Sequence, residues 1–208
     1  YYDIDPFLPD SDNVTAHRLE NIFTDEIQEV EVGVYNYKSC EFRALATTSC
    51  FNYQQGSRFQ KISADDSVSG LFIFNSKSKD GYDSSLIDAD GRLIKKLPCF
   101  YCITKSGNML ASINQRLHDI VRPGYSYRHY SNESLDSAGI DYLKIFNIET
   151  GEEIKICDTK HLCSIKPLSS MTDAIHYIEH CEFSNDDSKV IYFHRWRTDD
   201  GHIYSRLF

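Results

Sequence analysis

The sequence predicts an all-β chain, a β-propeller of four-stranded antiparallel blades. Three observations predict it: short runs rich in β-branched and aromatic residues, a polar turn recurring at blade-length spacing, and almost no helical periodicity. The runs are 31–37, 70–75, 83–87, 109–113, 142–148 and 189–193, each bounded by Asp, Gly, Asn or Ser clusters that suit hairpins.

The recurring turn lies at Asp65-Asp66 before Leu71-Phe72-Ile73-Phe74, at Ser106-Gly107 before Met109-Leu110-Ala111, and at Asp186-Asp187 before Val190-Ile191-Tyr192-Phe193. From Asp66 to Gly107 is 41 positions and from Gly107 to Asp187 is 80, one and two units of the roughly 40 residues that a blade occupies. A second turn type, Asp90-Gly91 and Thr150-Gly151, closes a later hairpin. Strands read in order give a partial blade over 1–57, blades over 58–98 and 99–158, and a partial blade over 159–208. That is about three and a half blades of a six- or seven-bladed propeller, within a single domain or a fragment of one. A β-sandwich explains the strands but not the repeated turn spacing. Unpaired apolar faces on the terminal blades predict self-association. Two stretches interrupt the repeat, 115–139 and 159–174, and long insertions in compact β domains often carry function.

The composition, 41% hydrophobic and 25% charged over 208 residues, is that of a globular domain. A net charge of -9 argues against a nucleic-acid partner, which needs a positive surface, and no run approaches the roughly 20 apolar residues of a membrane span. The expected partner is a saccharide or a protein. Seven cysteines, an odd number set mostly in apolar segments, suit free thiols in a reducing compartment, so a cytoplasmic location is expected. Cys99 and Cys102 have redox spacing but no helix start to activate a thiol.

The segment 179–193, Glu-His-Cys-Glu-Phe-Ser-Asn-Asp-Asp-Ser-Lys-Val-Ile-Tyr-Phe, resembles the repeat of TolB-like propellers, with Asn185 in place of the usual Pro and Ser188 in place of the usual Gly. Asn52-Tyr53-Gln54-Gln55-Gly56-Ser57, Arg122-Pro123-Gly124-Tyr125, His194-Arg195-Trp196 and Ser205-Arg206-Leu207 extend the resemblance to bacterial TolB-like proteins sometimes associated with polysaccharide genes. It implies a fold and a saccharide setting, not an activity. A more distant likeness to oligogalacturonate lyase propellers implies a divalent metal such as manganese, with His180, ahead of Phe183-Ser184, as one ligand.

The candidate ligand contacts follow from chemistry. His194, Arg195, Trp196 and Arg206 combine guanidinium forks for a carboxylate with an aromatic platform for a sugar ring. Alternation puts His194 and Trp196 on one strand face and Arg195 on the other. Gln54, Gln55 and Arg58 surround a Gly turn, and Arg122 and Tyr125 belong to a basic, aromatic insert with Arg116, Tyr127, Arg128 and His129. Three functions are expected in order: a binding module for a saccharide or protein; a metal-assisted lyase or hydrolase acting on an acidic oligosaccharide; and a structural interaction propeller, with these groups as ties between blades.

Overall fold

The structure, a computed structural model, describes residues 4–21, 26–62 and 70–208. Among the described residues four antiparallel sheets follow one another along the chain, each with its strands adjacent in sequence order. Sheet 1 holds β1 (Asn13–Arg18), β2 (Val30–Asn36) and β3 (Glu41–Thr48). Sheet 2 holds β4 (Gln60–Ile62), β5 (Leu71–Lys77), β6 (Tyr82–Ile87) and β7 (Leu93–Pro98). Sheet 3 holds β8 (Cys102–Ile103), β9 (Met109–Ser112), β10 (Tyr142–Asn147) and β11 (Glu153–Asp158). Sheet 4 holds β12 (Ile175–Phe183), β13 (Val190–Arg197) and β14 (Ile203–Leu207). Among the described residues the helices are short and lie in the two interruptions: α1 (Gln115–Val121) and α2 (Leu135–Ala138) precede β10, and α3 (Thr159–Ser164) precedes β12.

Each sheet packs on its chain neighbours through a separate apolar layer. Val32 and Val34 of sheet 1 meet Phe72, Phe74 and Ile87 of sheet 2. Ile73 and Leu86 of the same sheet turn the other way, onto Leu110 and Phe146 of sheet 3. Ala111, Leu143 and Ile145 then face Ile178, Cys181 and Tyr192 of sheet 4. The alternation of side chains along a strand lets β5 and β9 serve two layers each. Four sheets separated by three layers are not the two facing sheets of a sandwich. The outermost strands β7, β11 and β14 are largely exposed. In sheet 4, the face turned away from sheet 3 leaves Ile191, Ile203 and Leu207 in solvent.

Turns bind sheet to sheet. Gly91 (φ +82°) allows the β6–β7 turn to approach sheet 1 so closely that a Cβ there would sit 2.2 Å from the Leu45 carbonyl oxygen. The repeated turns at Gly107 and Asp187 touch: the Asp187 carboxylate accepts from the Lys105 and Ser106 amides at 2.8 and 2.9 Å. The turn at Asp66 lies outside the described residues. All seven cysteines are free thiols, and among the described residues no helix is long and apolar enough to cross a membrane.

The first insertion closes the open edge of β12. Asp141, fully buried, accepts from the amide of Ile178 at 2.7 Å and from that of Asn114 at 2.8 Å; His118 Nε2 donates to the Ile178 carbonyl at 2.7 Å. Burial works against the charged form of His118, but the hydrogen bond and charge of Asp141, the charge of Glu179 and the Ile178 carbonyl outweigh it, so the imidazole titrates above its ordinary 6.5. A raised folded value means that proton binding stabilises the fold. This contribution is complete below the unfolded value and is lost as pH rises through the folded one. The stability gap between wild type and His118→Gln is therefore expected to narrow from acid to alkaline buffer, measured by urea midpoints across pH. A gap that does not change with pH would contradict it.

Candidate functional site

The edge strands β4, β8 and β12 border one groove of about 750 Å³, lined by Arg58, Lys61, Tyr101, His180 and Glu182 and by Asp5, Phe7 and Pro9. Its upper wall begins at the turn before β4. Asn52 Oδ1 accepts from the Gln54 and Gln55 amides at 3.0 and 2.8 Å, and Gly56 and Arg58 both have positive φ, 59° and 60°. The turn leaves Gln54 exposed at its tip and buries Gln55, whose Nε2 donates to Tyr101 Oη at 2.9 Å. The Arg58 guanidinium, 2% exposed as a residue, lies 4.2 Å over the Tyr101 ring.

Opposite stands His180. A β-bulge shifts the β12–β13 register between Glu179 and Glu182, and His180 takes φ 54° within it. Left-handed backbone is unusual for a residue other than Gly, Asn or Asp, and bulges commonly re-aim a side chain beside a functional site. Here the imidazole points at Tyr101, with Nδ1 3.5 Å from Oη, and its ring centre lies 6.1 Å from those of Tyr125 and Phe193. Beneath it Glu179 is completely buried, held by Arg122 Nε at 3.1 Å and Arg195 Nη1 at 3.1 Å. Arg122 lies over the Tyr125 ring at 4.6 Å and Arg195 over Phe193 at 5.3 Å. Burial lowers the His180 pKa first; the Glu179 charge opposes this, and the charges of Arg195, Arg122 and Arg58 add to it. The imidazole is thus held neutral in the field of three guanidiniums with one buried carboxylate among them.

The structure therefore gathers Gln55, Arg58, Arg122, Tyr125, His180 and Arg195, leaves Gln54 apart, and puts His194, Trp196 and Arg206 on the other face of sheet 4. There Arg206 donates to the carbonyls of Ile165, Lys166 and Leu162 at 2.6, 3.1 and 3.0 Å, and Trp196 Nε1 donates to Ser170 Oγ at 3.2 Å. These contacts fasten the second insertion to the sheet. His194 is fully buried and stacks on His176; burial, then His176 and Arg206, lowers its pKa to about 4.

Most of the basic, aromatic insert is committed internally. Arg116 pairs with Glu133 at 2.6 Å, Tyr127 is buried against Cys50 and Cys99, the Arg128 amide donates to buried Asp119 at 3.0 Å, and His129 Nε2 lies 3.1 Å from the Ser49 carbonyl. Of that set, Arg122 meets Glu179 and Tyr125 meets His180. Tyr101 and Glu179 were not singled out by sequence reasoning. Glu179 pairs across the strands with Phe193, next to Arg195, a signal that needs the strand register. No protein-family model and no curated protein matches the chain.

Proposed function

We propose that this chain is a propeller-type binding module, TolB-like in its repeat, that holds an acidic saccharide at the inner edges of its sheets. The four consecutive antiparallel sheets, each packed on its chain neighbours, support the blade reading, in which the first strands β4, β8 and β12 correspond to the strands that line a propeller's central channel. The observation that carries the ligand class is the pair of guanidiniums, Arg122 and Arg195, set against the single buried carboxylate Glu179 beside His180, whose pKa burial lowers. In a protein of net charge -9 such a local surplus of positive charge selects an anion. Tyr101, Tyr125 and Phe193 supply aromatic surface beside it for a sugar ring.

Calorimetric titration with a uronic-acid oligosaccharide is the test, with its neutral counterpart as control. Arg195→Ala is expected to weaken acidic-ligand binding about 10- to 100-fold, the loss of one charge-assisted contact of roughly 1.5 to 3 kcal/mol. The neutral sugar should bind far more weakly to both proteins. Lower melting temperature with unchanged binding would identify Arg122, Glu179 and Arg195 as structural ties and overturn the reading.

A further inference from the structure

We propose that Cys163, His176 and His194 form a three-ligand site for a zinc-type transition-metal ion, on the face of sheet 4 opposite the arginine cluster. The three come from different elements: α3 supplies the thiol, and β12 and β13 supply paired imidazoles. Their ligand atoms all lie within 4.8 Å of one another. Cys163 Sγ is 3.3 Å from His176 Nδ1, which is 2.9 Å from His194 Nε2. Bonds of about 2.3 Å to sulfur and about 2.0 Å to nitrogen put the ligand atoms of a tetrahedral ion roughly 3.3 to 3.5 Å apart. The two contacts of His176 need to open by only a few tenths of an ångström, and Cys163 Sγ and His194 Nε2, within 4.8 Å of each other, to close by at most about 1.3 Å.

The surroundings match those of a ligand set. His176 Nε2 is 3.0 Å from the Met171 carbonyl, the outer hydrogen bond that fixes a ligating imidazole's tautomer and turns its other nitrogen to the metal. His194 is locked by stacking on His176 and by the Trp196 ring 5.4 Å away. Binding at His194 Nε2 places the ring proton on Nδ1, so the 3.4 Å approach of Arg206 has to widen; Arg206 keeps its three carbonyl partners in either arrangement. A thiolate with two imidazoles favours zinc or copper over manganese, magnesium or calcium. This separates the site from the manganese implied for His180, which is not part of the three-residue group. Three protein donors, two of them only partly buried, leave a fourth position for an exchangeable water or anion, as in zinc centres that bind substrate. The ion would also pin α3 to the sheet.

The test is chelator treatment of the whole chain, followed by titration with Zn²⁺ and, separately, Co²⁺. One equivalent should bind, with a thiolate-to-cobalt charge-transfer band and a tetrahedral visible spectrum. Cys163→Ser should abolish that band and weaken zinc binding at least about 10-fold with the circular dichroism unchanged, and His176→Gln should weaken zinc equally. His180→Gln and Cys102→Ser should leave uptake intact. Failure to take up a stoichiometric ion, an unaltered cobalt spectrum in Cys163→Ser, or loss of uptake in His180→Gln would each overturn the proposal and leave the trio as a neutral hydrogen-bonded network.

Discussion

Glu179→Ala is expected to cost about 3 to 5 kcal/mol of stability, the scale seen when one partner of a buried ion pair is removed. The carboxylate is completely buried, and the Arg122 and Arg195 side chains that grip it are each only 20% exposed. Without it two guanidiniums face each other beside His180 with little water to solvate them. Urea denaturation gives the size of the effect, and a second substitution gives its cause. Replacing Arg122 by Met in the Glu179→Ala background should recover part of the loss, because it removes a stranded cation. Losses that simply add would show that Glu179 acts through packing, not charge.

Asp141→Ala is the second large effect, expected at about 3 to 5 kcal/mol. Oδ1 accepts from the Asn114 and Tyr142 amides, both at 2.8 Å, and Oδ2 accepts from the Ile178 amide at 2.7 Å, with His118 Nε2 3.4 Å away. Each buried donor left without a partner costs about 1 to 3 kcal/mol, and entry of water recovers some of the total. Hydrogen exchange should show the Ile178 and Asn114 amides losing protection by more than the global drop in stability explains. Uniform loss across sheet 4 would mean that Asp141 is not the local anchor of the β12 edge.

Among the strands that the sequence reveals, β5 and β9 are buried on both faces. Leu71 to Phe74 is apolar without interruption because it faces two layers, and the Asp90-Gly91 and Thr150-Gly151 turns mark the β6–β7 and β10–β11 hairpins. β1 escapes notice because Asn13–Arg18 is a short polar strand with a single buried residue. α1 and α3 span too few residues for helical periodicity to register. At the site, the opposition of Arg195 to His194 and Trp196 follows from the period of two, but the meeting of Gln55, Tyr101 and His180 does not. Those residues lie 46 and 79 positions apart, and sheet stacking joins them through a bulge that no local pattern encodes. The meeting of Cys163 with His176 and His194 is hidden for the same reason: a thiol on a short helix gives no sign of which strand it will lie against.

The double use of single strands has a bearing on how such a chain can evolve. In β5, Phe72 and Phe74 belong to one apolar layer and Ile73 to the next; in β6, Ile87 and Leu86 divide in the same way. Inserting or deleting one residue there would exchange the two sets and corrupt two interfaces together, where a one-sided strand would damage only one. Length variation is therefore tolerated in the connections and purged from the strands. The segments 115–139 and 159–174 are the long connections of this chain, and they bring Arg122, Tyr125 and Cys163 to sheet 4. New chemistry enters this architecture through its loops, while the strands that receive it keep their reading frame.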